Sequence, residues 1–214
     1  ALAATPAGAE MLKGPLTADA INSEEFADAF RTVATLDQQN GSANSSVNAN
    51  DFAADFNNGL SAVFINGVWG ASQFAGSDNF VSCIYPNSVA ISSANTGLYV
   101  ANDLSDAQKE LALEFIKYMT SEEIANKIIA FGIGMAPNTN VDYTTLMDSV
   151  DAPEAKLLVS ACQLCMAADY QALGLGNEFG DFEGEIQSKY AGLKDGSKTV
   201  DDVVKDLDAV IAAN

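Results

Sequence analysis

Apolar residues recur at helical spacing along much of the chain, and this pattern predicts a fold dominated by helices. The first helix is predicted over residues 22–40, where Phe26, Phe30 and Val33 share one face and Gly41 follows as a stop. Further helices are predicted after Asn50, from Ser105, from Thr120, over residues 153–173 and from Thr199. Most of the core is therefore expected to come from helices.

Three short apolar stretches interrupt the helical pattern and predict strands at 60–65, 80–86 and 97–101. The first, LSAVFI, is apolar on both alternating faces, which is typical of a strand covered on both sides. The Ser- and Asn-rich stretch 87–97 is predicted as a crossover or hinge. Few strands among many helices in 214 residues predict an α/β fold.

The predicted strand 60–65 runs directly into the turn INGVWG, which holds the only Trp of the chain. Asn66 and Gly67 permit a tight turn, and Gly70 leaves the backbone after Trp69 without a side chain. A turn at the end of a buried strand is where α/β proteins place ligands. An aromatic face suits the C–H face of a sugar ring, and an Asn amide can bind hydroxyls. The alternative is a Trp that fills its own core, the more frequent role of a large aromatic residue.

The charge balance narrows the classes of partner. The chain has 29 acidic and 10 basic residues, a formal net charge of -19, so binding to nucleic acid or to anionic lipid is not expected. The lack of His excludes Ser-His-Asp and Cys-His catalysis and removes the commonest zinc ligand, and no cofactor or metal site is predicted. No apolar run is long enough to span a membrane. The first 20 residues lack the features of a signal peptide, and we expect the chain to begin partway into a longer protein.

Two other motifs carry reactive groups. The CxxC pair Cys162 and Cys165 lies in the middle of a predicted helix, where core packing is expected rather than redox chemistry. The loop NEFGDFEG offers the carboxylates of Asp181 and Glu183 beside aromatic residues. It could form a glycosidase acid/base pair, a sugar-binding edge or simply a solvated loop.

Four segments in order resemble one family of proteins. They are DFAADFNNGLSAVFINGVWG (51–70), GLYVANDLSDAQKELALEFIKYMTSEEIANKI (97–128), GMAPNTN (134–140) and GSKTVDDVVKDLDAVI (196–211). Together they resemble the second half of the family 1 extracellular solute-binding proteins, the maltose-binding-protein-like receptors of bacterial ABC importers. The resemblance covers residues 22–214.

The resemblance implies a two-lobed, hinged fold of the type II periplasmic-binding-protein class, of which this chain is a helix-rich C-terminal portion. Residues 1–86 would end the second lobe and hold the cleft strand and turn. Residues 87–145 would form the hinge and a strand-helix return to the first lobe, and residues 146–214 would close the second lobe. The N-terminal lobe would be largely absent.

The resemblance also implies a set of ligand contacts. Trp69 matches the sugar-stacking aromatic of the family and Asn66-Gly67 its cleft turn, while Gly97 matches a glycine beside the hinge. The loop NEFGDFEG lies where relatives place another aromatic, which implies Phe179 or Phe182 with Glu183 as a polar contact. The loop departs here from the maltose-binding pattern, which puts maltodextrin specificity in doubt.

The function expected on these grounds is capture of a neutral carbohydrate between two lobes and its delivery to an ABC permease in the membrane, without catalysis. The protein would act outside the cytoplasm, lipid-anchored at the cell surface or in the periplasm. Two alternatives are a glycosidase that uses Asp181 and Glu183, and a surface module that has kept the fold but binds no ligand. Exposed apolar faces of a half-protein would favour dimerisation or exchange of segments.

Overall fold

A computed structural model of the protein describes residues 1–14, 16–40, 49–74, 79–92, 97–173 and 182–213. Short 3-10 helices lie at Leu2–Ala4 and Val68–Phe74. The α-helices and strands, in chain order, are α1 (Pro6–Met11), α2 (Ala18–Ile21), α3 (Glu24–Asn40), α4 (Ala49–Asn57), β1 (Val89–Ser92), α5 (Asp106–Met119), α6 (Glu122–Ala130), α7 (Tyr143–Ser149), α8 (Pro153–Met166), β2 (Tyr170–Leu173), α9 (Phe182–Lys194) and α10 (Val200–Ala213).

The chain divides into two compact units, each built from separate stretches of sequence. The first unit comprises Ala1–Val47, Tyr85–Ala94 and Ala168–Asn214, and the second comprises Asn48–Ile84 and Asn95–Ala167. The assignment of residues 1–86, 87–145 and 146–214 to two lobes stays a prediction.

The first unit holds a parallel pair of strands surrounded by helices. Strands β1 and β2 pair from Val89 with Tyr170 to Ser92 with Leu173. Helix α3 starts at Ser23, whose hydroxyl accepts the backbone N–H of Phe26 at 3.2 Å. The buried core of this unit includes Ile21, Phe26, Phe30, Val89, Val203 and Leu207.

The second unit is built around helix α8, with Pro153 at its start. Its buried core includes Ala71, Ala125, Ile129, Leu158, Val159 and Cys162. The predicted capping box of α5 is confirmed, since the backbone N–H of Ser105 donates to Gln108 Oε1 at 3.0 Å. Within the described residues, no helix is long and apolar enough to cross a membrane.

The three predicted strands are wrong as paired strands. In the part of the chain that the structure describes, none of the stretches 60–65, 80–86 and 97–101 forms a strand, and only Tyr85 makes an isolated antiparallel bridge, with Val89. The observed strand β1 lies instead in the stretch 87–97, which was predicted as a crossover or hinge. An apolar run favours extended backbone, but a ladder also needs a neighbouring strand, which local sequence does not reveal.

Two helix boundaries also differ from the prediction. Helix α8 ends at Met166 rather than at residue 173, and the last residues of the predicted helix form β2. Thr120 ends α5 rather than starting α6, and the hydroxyl of Ser121 caps α6 by accepting the N–H of Ile124 at 3.4 Å. Both Thr120 and Ser121 have cap chemistry, so the sequence alone does not choose between neighbouring positions.

Candidate functional site

The turn at Asn66–Gly70, in the second unit, is held by its own hydrogen bonds. The backbone N–H of Gly67 donates to Asn66 Oδ1 at 2.8 Å, and the N–H of Gly70 donates to the carbonyl of Gly67 at 2.9 Å. The Asn66 amide also reaches Gln73 Oε1 at 3.4 Å. A Cβ atom at position 70 would lie 2.8 Å from Asn66 Nδ2, so a side chain there would displace the Asn66 amide. The predicted tight turn is therefore present.

Trp69 lies with its ring directly on Gly67. A Cβ atom at position 67 would lie only 2.1 to 2.4 Å from the Cη2, Cζ3 and Cζ2 atoms of the ring. The residue is nonetheless 63% exposed, so the ring face away from Gly67 is open to solvent. Among the described residues, the Trp69 ring is therefore not part of a buried core. The indole N–H has no partner among the described residues.

The 3-10 helix Val68–Phe74 anchors this turn to the second unit. Ala71 lies in the buried core around α8, and Phe74 is only 6% exposed. The side-chain amide of Asn57, at the end of α4, donates to the carbonyl of Gln73 at 3.2 Å. Only one side of the short helix is buried, so Trp69 is held outward by a fixed backbone.

Four phenylalanine rings pack together beneath the turn, a feature that the sequence analysis missed. The ring of Phe74 has its centroid 5.4 Å from Phe56, 5.6 Å from Phe64 and 5.1 Å from Phe80. Phe56 and Phe80 are closer still, at 4.7 Å. These are normal packing distances for aromatic rings. The four residues show no helical or strand period, so no local signal could have identified the cluster.

The turn carries no charge of its own. Between Asp55 and Asp78 the sequence has no Asp, Glu, Lys or Arg. An open indole face and an indole N–H without a partner among the described residues are therefore the groups that the turn offers to a ligand. Such groups suit a neutral molecule that has both C–H faces and hydroxyls.

We expect Gly67→Ala to displace the Trp69 ring, because the added Cβ would occupy the position of the ring carbons. The indole would lose its fixed orientation, and its quenching by acrylamide would increase, which fluorescence measures directly because the 214 residues contain a single Trp. Gly134→Ala is the matched control, since a Cβ there meets nothing within 4 Å. Equal quenching in both variants would show that Gly67 does not hold the ring.

The structure describes only some of the other residues that were predicted to contact a ligand. Gly97 lies in an extended segment of the second unit, where a Cβ would be 3.3 Å from the Tyr99 hydroxyl. Phe179 and Asp181 lie outside the described residues. Phe182 and Glu183 lie in the first turn of α9, in the first unit, and only their backbone is described. The roles of Gly97, Phe179, Phe182 and Glu183 stay predictions.

The surroundings of the cysteine pair disfavour the thiolate form that redox chemistry needs. Cys162 is fully buried in the middle of α8, and burial, with a smaller effect of Cys165, raises the pKa of its thiol to about 12. Burial and the nearby Cys162 likewise raise the pKa of Tyr143 to about 12. Burial also raises the pKa of Cys165. Thiolates, the reactive form, are therefore suppressed, and the predicted core packing of Cys162 is confirmed.

The raised pKa of Cys162 predicts a loss of stability at alkaline pH. An unfolded thiol ionises near about pH 8.5, whereas the folded one stays protonated to about 12, so the unfolded state binds fewer protons between these values. The free energy of unfolding should therefore fall as pH rises above about 8.5. In urea denaturation between pH 7 and 11, the free energy of unfolding should depend less on pH for Cys162→Ala than for the control Cys83→Ala, where the cysteine is exposed. If the free energy of unfolding changed equally with pH in both variants, the raised pKa of Cys162 would be contradicted.

A second concave region of the second unit offers less to a ligand than the turn does. A shallow pocket in the second unit is lined by Met135, Asn138, Asp142 and Met166 among others. Its polar groups are already used, since Asn138 Nδ2 donates to the carbonyl of Thr120 at 2.8 Å and Asp142 caps α7. Among the described residues, no group of acidic or Cys side chains could hold a metal ion.

Comparison with known proteins identifies the class. Residues 3–156 match the family of bacterial extracellular solute-binding proteins. The chain also matches the structure of a Streptococcus pneumoniae solute-binding protein in complex with the blood group A-trisaccharide, with 34% sequence identity and a TM-score of 0.83. The match covers all of this chain and 55% of that one. No curated protein sequence matches the chain significantly.

The chain belongs to the bacterial extracellular solute-binding proteins. The family predicted from its sequence motifs and the predicted fold class, α/β of the periplasmic-binding-protein type, are both confirmed. The chain spans about half of the length of the pneumococcal protein.

Proposed function

We propose that this chain is part of the substrate-binding component of an ABC importer, which captures a sugar or oligosaccharide and delivers it to a membrane permease. The observation that carries the proposal is the Trp69 ring, which rests on Gly67 and is exposed on an uncharged turn. The likeness to a solute-binding protein that was solved with a trisaccharide supports it.

The chemistry of the turn favours a carbohydrate over other small solutes. A pyranose ring can place its C–H face on the open face of the indole, where the apolar contact excludes water. The indole N–H can then donate to a hydroxyl at the ring edge. An amino acid or a peptide terminus would need a charged partner, and the turn has none.

The remaining contacts and the architecture are part of the same proposal. Gly97, Phe179, Phe182 and Glu183 would complete the binding site. Residues 1–86 and 146–214 would belong to the second lobe and residues 87–145 to the hinge and the return to the first lobe. Closure of the two lobes would trap the sugar and create the surface that the permease recognises.

The proposed role also implies the compartment and the partners of the protein. It would work outside the cytoplasm, with a lipid anchor or in the periplasm, and would bind without turning its ligand over. Its high negative charge argues against nucleic acid as a partner. Dimerisation or exchange of segments would be a property of the chain in isolation.

A titration of tryptophan fluorescence tests the proposal. The native protein is titrated with the blood group A-trisaccharide, with maltotriose and with glutamine as a zwitterionic amino acid control, and each titration is repeated on Trp69→Phe. We expect a saturable change with at least one sugar, none with glutamine, and loss of the change in Trp69→Phe.

The same samples distinguish the alternatives. Release of new reducing ends that Asp181→Asn or Glu183→Gln abolishes would replace the binding role with a glycosidase. A saturable response to glutamine alone would overturn the assignment of a carbohydrate. Calorimetry that finds no heat with either sugar, in a folded protein, would leave the third alternative, a surface module without a ligand.

A further inference from the structure

The turn that carries Trp69 begins with an Asn-Gly pair, Asn66-Gly67, and a second such pair, Asn58-Gly59, follows the end of α4. In an Asn-Gly pair the backbone nitrogen of the glycine can approach the asparagine side chain closely, because glycine has no Cβ to obstruct it. Asn66 and Asn58 are both exposed to solvent. What distinguishes the two pairs is the position of the glycine nitrogen.

In the turn, the glycine nitrogen lies beside the side chain that it can attack. The backbone N–H of Gly67 donates to Asn66 Oδ1 at 2.8 Å. Cγ is bonded to that oxygen, so the nitrogen is already close to the carbon with which it would form a bond. Holding two reacting groups together in this way accelerates the reaction between them. The Asn66 amide nitrogen, which would leave, donates to Gln73 Oε1 at 3.4 Å, a long and therefore weak hydrogen bond.

The glycine nitrogen of the second pair is used by the helix end. The N–H of Gly59 donates to the carbonyl of Phe56 at 3.0 Å, and Gly59 has a φ of 72°. This nitrogen would have to leave that hydrogen bond, and the end of α4 would have to open, before it could attack Asn58. Asn58-Gly59 is therefore a control for Asn66-Gly67 within the same unit.

We propose that Asn66 is a site of spontaneous deamidation, which converts it to aspartate or isoaspartate and alters the turn that carries Trp69. Solvent base removes the proton of the Gly67 nitrogen, and this nitrogen forms a bond to Asn66 Cγ. The bond between Cγ and Nδ2 breaks, and Nδ2 leaves as ammonia with a proton from water. Water then opens the resulting succinimide at Cγ, which gives aspartate, or at the main-chain carbonyl of residue 66, which gives isoaspartate. The net change is uptake of water and release of ammonia, without oxidation or reduction.

Deamidation at this position would change the support of Trp69. Isoaspartate adds a carbon to the main chain just before Gly67, and the Trp69 ring lies on Gly67, where a Cβ would be 2.1 Å from Cη2. Either product also places a carboxylate in a stretch that has no charged residue between Asp55 and Asp78. A carboxylate loses its water only at a high cost, which opposes a dry contact between the indole and a sugar. The chemical step does not depend on the proposed function, whereas the expected loss of sugar binding rests on it.

Peptide mass spectrometry of the native protein tests the chemical step without any ligand. Samples incubated in neutral buffer are digested with chymotrypsin, which cuts after Phe64 and so separates the two pairs. The asparagine, aspartate and isoaspartate forms of each peptide are then quantified over time. We expect Asn66 to convert at least about tenfold faster than Asn58, because only at Asn66 is the glycine nitrogen held beside Cγ.

The same measurement in urea is the control for local sequence. Without the folded turn and helix end, Asn66 and Asn58 should convert at similar rates, because each precedes a glycine. Equal rates in native buffer, or faster conversion of Asn58, would overturn the proposal. A tenfold difference that persists in urea would also overturn it, because the folded turn would then not be the cause.

Calorimetric titration of the incubated samples tests the consequence for binding. With a sugar that binds the fresh protein, the number of binding sites per chain should fall in proportion to the isoaspartate at position 66. Asn66→Ser cannot form the succinimide, so incubation should not change its binding capacity. The matched variant Asn58→Ser should lose capacity as the native protein does. Full capacity in protein converted at Asn66 would overturn this part of the proposal. If no sugar binds the fresh protein, the proposed function fails, and the peptide measurement still decides the chemical step.

Discussion

Replacement of Trp69 by Ala is expected to weaken sugar binding by about 30-fold or more. A Trp at the centre of an interface commonly contributes about 2 kcal/mol or more, and every 1.4 kcal/mol changes affinity about tenfold. Trp69 is the one large apolar surface on an otherwise small and uncharged turn. Calorimetric titration with the sugar that binds the native protein measures the loss.

Stability should change little in the same variant. Trp69 is 63% exposed, and exposed positions usually alter stability by less than about 0.5 kcal/mol. Phe131→Ala, which removes another exposed aromatic ring from the same unit, is the control and should leave affinity unchanged. If both variants bound the sugar as tightly as the native protein, the ligand would not lie on Trp69.

Replacement of Phe74 by Ala is expected to have the largest effect on stability. Phe74 is 6% exposed and contacts the rings of Phe56, Phe64 and Phe80, so its removal leaves a cavity. Truncation of a buried Phe typically costs about 3–5 kcal/mol. The loss should appear as a lower midpoint in urea, monitored through Trp69, which reports on the second unit.

Phe74→Ala should also weaken binding, because Phe74 anchors the turn that carries Trp69. Phe74 ends the short helix that positions Trp69, so the surviving folded protein should also bind sugar more weakly. Phe131→Ala, at an exposed position in the same unit, should cost less than about 0.5 kcal/mol. A native-like midpoint for Phe74→Ala would show that the cluster does not support the turn.

Features that depend on neighbours in sequence could be predicted. The capping box of Ser105 and Gln108 is formed by residues three positions apart, and the turn after Asn66 follows from an Asn-Gly pair. The burial of Cys162 follows from the apolar face of α8 that it shares with Leu158. In each case a short stretch of sequence contains all of the interacting groups.

Features that depend on distant partners could not be predicted. Strand β1 pairs with β2 between Val89 and Tyr170, and the hydroxyl of Ser88 accepts the N–H of Asp169 at 3.2 Å just before the ladder. The stretch 170–173 continues the apolar pattern of α8 and was therefore predicted as helix. The phenylalanine cluster likewise brings together four rings from separate segments. The outward position of Trp69 depends on this packing, so the sequence left its role open.

The absence of charged residues between Asp55 and Asp78 has a consequence for the environments in which the protein can work. Ion pairs between a ligand and a site weaken as salt rises, because mobile ions screen them. A turn that holds its ligand through an aromatic face and an indole N–H has no such pair to lose. The chain as a whole has a formal net charge of -19, so its surface responds to ionic strength, whereas the uncharged turn does not. If a neutral sugar binds on Trp69 as proposed, this contact should hold it equally well in dilute and in saline surroundings.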